Sequence, residues 1–387
     1  MKIVILSKYP LEEISDGPAV HRDRLIHYFS QMNDVELHIV TFGDKNTEFK
    51  KNNLNVHMVK KIKEFYIPFS TPIMLWAIRR KIKEIKPDIV HALGTFPPWP
   101  VIATFVRSEY PVVVTVYGVI TEELIKYSPS FLASLKSILS ILYQKYILSK
   151  ILYIIVESSS IKNLIRNMTN SKIYIVPDGI EFEKIQAIQP QLSKNSDILF
   201  VGRLVKLKGV DMLIKAIPIV IETIPNLNVH IVGSGPQEKE LKNLVKELKI
   251  EEYVEFLGFI SEEEKFRCYM GCKVVVVPSR WDCSPITIYE AIACGKPVIA
   301  SNVTNSEILE NGKTGFLFES ENVEDLAEKV VKLLKDEKLR EEMGKTTKEK
   351  AKQYDWSKVA EKTVNVYKEV KVDFHELRIK KQKGKIS

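Results

Sequence analysis

The stretch "SRWDCSPITIYEAIACGKPVIAS", residues 279–301, follows "KVVVVP", residues 273–278. The β-branched apolar run reads as a strand buried on both faces of a sheet. Ser284 before Pro285 is a helix start, with the serine as N-cap and the proline at the first helical position. The helix continues through "ITIYEAIAC" and stops at Gly295, the residue type that closes a helix in left-handed geometry. "KPVIAS" (296–301) is then the next strand. Strand, turn, helix and strand in this order form a βαβ unit, which implies a parallel sheet with helices packed on it.

The same alternation extends outward in both directions. "DILFVGRL" (197–204), "NVHIVGSG" (228–235) and "VEFLGF" (254–259) precede it, separated by helical stretches, and two further helices follow. The first half repeats the scheme. "KIVILS" (2–7) leads to a helix from about Ala19 to Phe29, then "VELHIVTF" (35–42) and "NVHMVK" (55–60). A helix near Pro72–Ile85 is followed by "DIVHAL" (88–93) and "PVVVTVYG" (111–118). "FLASLKSILSILYQKYILS" (131–149) is an amphipathic helix, and "ILYIIVESS" (151–159) and "KIYIVPDGI" (172–180) complete the series.

At 387 residues the chain is too long for one core. The periodicity lapses in "QAIQPQLSKNSD" (186–197), which divides it into two doubly wound α/β domains. The expected organisation is a first domain over 1–185, a linker over 186–196 and a second domain over 197–360. A C-terminal helix with a basic tail over 361–387 is placed to pack back on the first domain.

A 45% apolar and 27% charged composition is that of an ordinary soluble globular protein. The N-terminal apolar run is too short for a signal peptide, and no run approaches the ~20 apolar residues of a membrane span. A cytoplasmic protein is expected, with the inner membrane face as the place for any peripheral contact. The net charge of +8 favours an anionic partner. Nucleic acid is not expected, because no basic patch is interleaved with aromatics. The cysteines are Cys268, Cys272, Cys283 and Cys294; only Cys268 and Cys272 have helical metal-pair spacing, and no matching pair lies nearby. Buried reduced thiols are the expectation, and no metal site is assigned.

In open α/β sheets ligands bind beyond the carboxyl ends of the strands, so the strand-to-helix turns carry the chemistry. After "DILFV" come Gly202 and Arg203, and Lys208-Gly209 open the next helix. A guanidinium and an ammonium beside a helix N-terminus make an anion cradle; the plainer alternative is solvated loop charge. In "VGSGPQ", position 238 is Glu where a dinucleotide fingerprint requires glycine, so Gly233 and Gly235 read as a tight turn. Asp282 precedes the helix that starts at Ser284, and Glu290 lies inside it. A carboxylate accepts two hydrogen bonds from a vicinal diol, which suits a ligand with phosphates at the helix end and a sugar on each side. Taken singly, each carboxylate reads as surface charge.

"GRLVKLKG", "VGSGP", "FLGFIS" and "PSRWDCSPITIYEAIACGKPVIAS", in this order over residues 202–301, resemble the C-terminal domain of family 4 glycosyltransferases of GT-B fold. That resemblance implies two Rossmann-like domains facing a cleft and retaining transfer from a nucleotide diphosphate sugar. Of the family's two glutamates, spaced seven residues apart, Asp282 stands in the first position and Glu290 in the second. By resemblance, Asp282 reaches the transferred sugar, and the stretch Ser284, Pro285, Ile286 and Thr287 holds the diphosphate region and the sugar through its backbone amides. Glu290 would bind the ribose diol, and the turn at Gly258 and Phe259 would contribute base contacts. Gly202, Arg203 and Lys208 would cradle the leaving diphosphate. The N-terminal half is less similar: Asp16 replaces the first glycine of the family's Gly-Gly loop and Gly17 is retained, and Tyr117 stands where the family commonly has histidine. His21 and His91 are further cleft candidates, each with a structural alternative.

The expected catalytic set is thus Asp282, Arg203, Lys208 and Tyr117, with no cofactor and no bound metal; no Asp-x-Asp triplet occurs in the chain. The expected partners are a UDP- or GDP-sugar and a glycan or lipid-linked acceptor. For the segment Phe131–Ser149, with Lys126, Lys136, Lys145 and Lys150, contact with anionic lipid stands beside plain packing on its own sheet. Two alternatives remain at this level: a GT-B-like protein that binds without transferring, and a nicotinamide-dependent dehydrogenase, disfavoured by Glu238.

Overall fold

A computed structural model describes residues 1–8, 17–60, 70–94, 97–118, 131–189, 195–304 and 306–383. The chain forms two compact units, one of Met1–Val176 with Ser357–Ser387 and one of Pro177–Trp356.

In the first unit β1 (Lys2–Leu6), β2 (Glu36–Gly43), β3 (Thr47–Lys51), β4 (Leu54–Lys60), β5 (Ile89–Leu93), β6 (Val112–Val116), β7 (Tyr153–Val156) and β8 (Lys172–Ile175) build one sheet. Its order is β3-β4-β2-β1-β5-β6-β7-β8. Every pairing is parallel except that of β3 with β4. The edge strand β3, "TEFKK", is not apparent in the sequence because four of its five residues are exposed and it carries no apolar run. β5 and β6, by contrast, are buried at every position, as strands covered on both faces must be.

The chain passes to the second unit at Val176–Pro177, ahead of the expected boundary at 185. The Ile180 amide donates to the Tyr354 carbonyl at 2.8 Å, and the Trp356 amide donates to the Ile180 carbonyl at 3.0 Å. A Cβ on Gly179 would stand 2.4 Å from the Trp356 ring, so only glycine admits that approach. These contacts tie residues 177–185 to the second unit, where Phe182–Ala187 is a helix. Residues 190–194 of the expected linker lie outside the described residues.

The final helix is continuous over Trp356–Lys383 and crosses the expected boundary at 360 without a break. From Ser357 onward it belongs to the first unit. Val359, Ala360, Tyr367 and Val370 bury its inner face, and Lys371 bonds Asp88 at 2.6 Å.

The second unit is a parallel sheet of β9 (Ser196–Val201), β10 (Val229–Val232), β11 (Val254–Gly258), β12 (Cys272–Val277), β13 (Val298–Ser301) and β14 (Gly315–Phe318). Its order is β11-β10-β9-β12-β13-β14. Alternate residues of β12 enter different cores. Val274 and Val276 meet the helices Val210–Ile221 and Val323–Lys335, while Val275 and Val277 meet Glu262–Gly271 and Ile286–Ala293. That two-sided burial explains the unbroken valine run. β14 follows a turn region, and its "GFLF" is flanked by turn residues with no β-branched residue to mark it as a strand. The strand order reverses between β9 and β12, so the turns at their carboxyl ends lie at a switch point, where such sheets bind ligands. Among the described residues no helix is long and apolar enough to cross a membrane.

Candidate active site

The turns after β9 and β12 are locked to each other through backbone. Gly209 adopts φ +65°, and a Cβ there would lie 1.9 Å from the Pro278 carbonyl oxygen. The Arg280 amide donates to the Leu207 carbonyl at 2.8 Å. The Arg280 guanidinium forks onto both Asp211 oxygens at 2.7 and 2.8 Å, and reaches the Lys206 carbonyl at 2.9 Å and Glu321 at 2.6 Å. Its hydrogen bonds to Asp211, and then to Glu321, hold its pKa above the ordinary arginine range. Arg280 is therefore a permanent staple between the two turns.

This staple brings Lys208 to Asp282, and the ammonium donates to the carboxylate. Asp282 is further held by a bridge to Thr304. Arg203 is exposed at the end of β9, and among the described residues no hydrogen bond or ion pair involves its guanidinium. Next to it, Gly233 has φ +129°, and a Cβ would come within 1.9 Å of the Gly202 carbonyl oxygen; one on Gly235 would come within 2.4 Å of that of Leu204. The two glycines of "VGSG" allow the β10 turn to lie flat on the β9 turn, the close approach that a tight turn requires.

The helix after β12 runs over Ile286–Ala293, one residue later than expected. Pro285, at φ −73° and ψ 113°, is extended and takes the cap position, with no side-chain cap bond. Ser284 is not the N-cap: its hydroxyl donates instead to Asp178 at 3.1 Å, a carboxylate 2% exposed that comes from "VPDGI". The amides of Ile286 and Thr287 lie in the first turn, without an intrahelical acceptor, at the positive end of the helix.

Glu290 is 8% exposed, just over one turn inside this helix. Lys265 donates to its Oε1 at 2.5 Å and the Tyr269 hydroxyl to its Oε2 at 3.0 Å. Burial works to lower the Lys265 pKa, but the charge and hydrogen bond of Glu290 outweigh it and the net direction is upward. Both donors stand on the helix Glu262–Gly271, whose start is fixed by a reciprocal capping box between Ser261 and Glu264. Gly258, at φ +65°, turns the chain into that helix and leaves Phe259 88% exposed.

In the first unit, Gly17 is the first residue of the helix Gly17–Gln31, and Asp16 lies outside the described residues. Tyr117 follows β6, half-buried, with its ring edge-on to His21 at 5.1 Å between centroids; His21 Nδ1 is 3.3 Å from Glu157. His91 is fully buried between the Tyr367 hydroxyl (2.5 Å) and Thr115 (2.7 Å), and burial lowers its pKa to about 3. A histidine so enclosed is neutral and structural.

Sequence reasoning missed Arg280, Asp211, Asp178, Lys265 and Tyr269. Arg280 had a legible signal, a lone cation directly after a buried strand. Lys265 had none, since 25 residues separate it from Glu290.

Two Rossmann-like parallel-sheet units, the second carrying a charged switch point, define a protein of GT-B fold. Solved structures agree. Sucrose-phosphate synthase of Thermosynechococcus elongatus superposes with a TM-score of 0.75, at 20% identity, over 95% of this chain and 98% of that one. Anabaena HepE in complex with UDP gives 0.73, at 17% identity, over 95% and 100%. Residues 181–350 match the group 1 glycosyl transferases and residues 15–184 match glycosyltransferase family 4. An uncharacterized glycosyltransferase of Methanocaldococcus jannaschii is 30% identical over 360 residues, 92% of this chain and 95% of that protein. A D-inositol 3-phosphate glycosyltransferase of Corynebacterium aurimucosum is 33% identical over 177 residues, 44% of this chain and 42% of that protein. The chain belongs to the family 4 glycosyltransferases.

Proposed function

We propose that the protein transfers a sugar, with retention of configuration, from a nucleoside diphosphate sugar, UDP- or GDP-linked, to a hydroxyl of a glycan or lipid-linked acceptor. The observation that carries this reading is the convergence at the β9–β12 switch point of Lys208, Asp282 and the helix start at Pro285–Thr287. The exposed Arg203 stands at the carboxyl end of the same β9 strand. Arg203, Lys208 and the first-turn amides would neutralise charge growing on the leaving diphosphate, and pre-oriented donors of this kind act without reorganisation in the transition state. Such a set supplies the charge a metal ion would bring, so transfer is expected to survive chelation. Asp282 would orient the transferred sugar, and Glu290 would hold the ribose diol. Gly202 would let the chain approach the phosphates, and Gly258 with Phe259 would border the base. In the first unit, Gly17 and Tyr117 are assigned to the substrate side. That HepE was solved with UDP supports UDP as the first nucleotide to try.

Thermal unfolding with saturating UDP, GDP and ADP, followed by transfer from the radiolabelled sugar of whichever binds, tests the reading. A ligand at 100 times its dissociation constant stabilises the native state by ~2.7 kcal/mol. A shift with one nucleotide, and transfer that persists in EDTA, is expected. Binding without transfer or donor hydrolysis would favour the non-catalytic alternative.

A lipid-linked acceptor is favoured by the helix Phe131–Leu148. Ile138, Leu139, Leu142 and Tyr146 are 46–63% exposed along it, with Lys145 and Lys150 exposed beside them. We assign this face to an anionic membrane surface, where apolar burial and cation attraction act together. Cosedimentation with phosphatidylglycerol vesicles that is lost in Leu139→Glu/Leu142→Glu is the expected result; equal sedimentation of the variant would refute it.

A further inference from the structure

The geometry points to Lys265 and Tyr269 as positioning residues that set the enzyme's preference for ribose over deoxyribose in the donor. They act by holding both Glu290 oxygens oriented. The inference rests on the proposed role of Glu290 and adds two residues to it.

A carboxylate 8% exposed is costly to leave charged unless it is paired. Each Glu290 oxygen has one internal donor, Lys265 on Oε1 and Tyr269 on Oε2. An ionised carboxylate has about four acceptor directions, so each oxygen keeps capacity for one further donor, and a vicinal diol presents two. The internal donors oppose rotation of the carboxylate, and a diol would take two remaining acceptor positions, one on each oxygen. A 2′-deoxy sugar fills only one of them and leaves the other buried and unpaired, the situation in which hydrogen-bonding sites discriminate most strongly.

The remaining titratable groups around Glu290 are Glu262, Cys272, Cys294 and Lys296. Burial raises the Cys272 thiol to about 12 and pushes Cys294 up as well, so both are neutral near neutral pH. Glu262 is exposed, and Lys265 is the cation bonded to Glu290. Without Lys265 the carboxylate would lose the donor that fixes its Oε1. The ribose preference would then fall and return with Lys265→Arg, which restores a donor, whereas loss of mere packing would not follow the donor.

The test is calorimetric binding of UDP and 2′-deoxy-UDP, and of GDP and 2′-deoxy-GDP, to the full-length protein. Wild type is expected to favour the ribonucleotide roughly tenfold or more, the worth of one hydrogen bond to a charged group. In Lys265→Met that ratio should fall toward one, while Lys265→Arg keeps it. Tyr269→Phe, which removes only a hydroxyl, should lower the ratio too and carries the test if Lys265→Met does not fold. Unchanged ratios in Lys265→Met and Tyr269→Phe, with the preference lost in Glu290→Gln, would overturn the inference and leave the ribose role standing. A preference that survives Glu290→Gln, or wild type that binds none of the four, would overturn the ribose role and the inference together.

Discussion

The Lys208 ammonium is bonded to the Asp282 carboxylate, joining two strand-end turns 74 residues apart in sequence. The side chains are 26% and 15% exposed, so the pair is open to a ligand from one side. Each group compensates the other's charge; in the function proposed above, a substrate would divide them, with phosphate toward the lysine and sugar hydroxyls toward the carboxylate.

Arg203→Ala and Lys208→Ala should each reduce turnover by ~10²–10³ while leaving the protein folded, because in the proposed reading each would remove a donor to developing charge. The double variant Lys208→Met/Asp282→Asn should lose less than the product of the two single losses, since the residues act as a unit. Steady-state rates alongside circular dichroism decide this. Near wild-type transfer by both folded single variants would remove the phosphate role.

Arg280→Ala should lower melting temperature and activity together. It leaves the half-buried Asp211 without its bidentate partner and unties the turn that presents Lys208, at a cost of about 2–3 kcal/mol. Activity lost at unchanged stability would instead indicate direct substrate contact by Arg280.

Gly233→Ala should destabilise the second unit by more than about 2 kcal/mol, because a Cβ at φ +129° would stand 1.9 Å from the Gly202 carbonyl oxygen. Gly258→Ala, at φ +65° with open space around it, should cost only about 1 kcal/mol. Urea unfolding of both variants measures the contrast, and equal losses would contradict the interlocked turns.

His91, neutral with its pKa lowered to about 3, makes stability fall in acid. The unfolded chain protonates its histidine near the usual value of about 6.5. Between roughly pH 6.5 and 3 the unfolded state therefore binds the additional proton, and this group's contribution to native stability declines by up to about 1.4 kcal/mol per pH unit. Melting temperature should fall less steeply over this range in His91→Gln than in wild type. Parallel slopes would show that His91 is not the group responsible.

Legibility in the sequence followed burial. β12 and the helix Ile286–Ala293 were readable because every second residue of a doubly covered strand must be apolar toward each core. β3 was not, because an exposed edge strand places no demand on side-chain type. The helix start was displaced by one residue because Pro285 adopts extended geometry and Ser284 turns to Asp178, a partner 106 positions away. Of the site, "GRLVKLKG", Asp282 and Glu290 could be named from spacing along one turn or one helix.

The chain by itself determined two doubly wound units, the strand ends at which charge gathers, and the carboxylates flanking one helix start, since these depend on local periodicity and backbone chemistry. Only tertiary structure decided where the first unit ends, with the last helix joining it from Ser357, and which charges neutralise one another. Lys208 with Asp282, Arg280 with Asp211 and Lys265 with Glu290 are pairs made by strand order and by glycine-permitted backbone contact. Hydrogen bonding acts over about 3 Å, and separation along the chain carries no information about which turns the sheet will place that close.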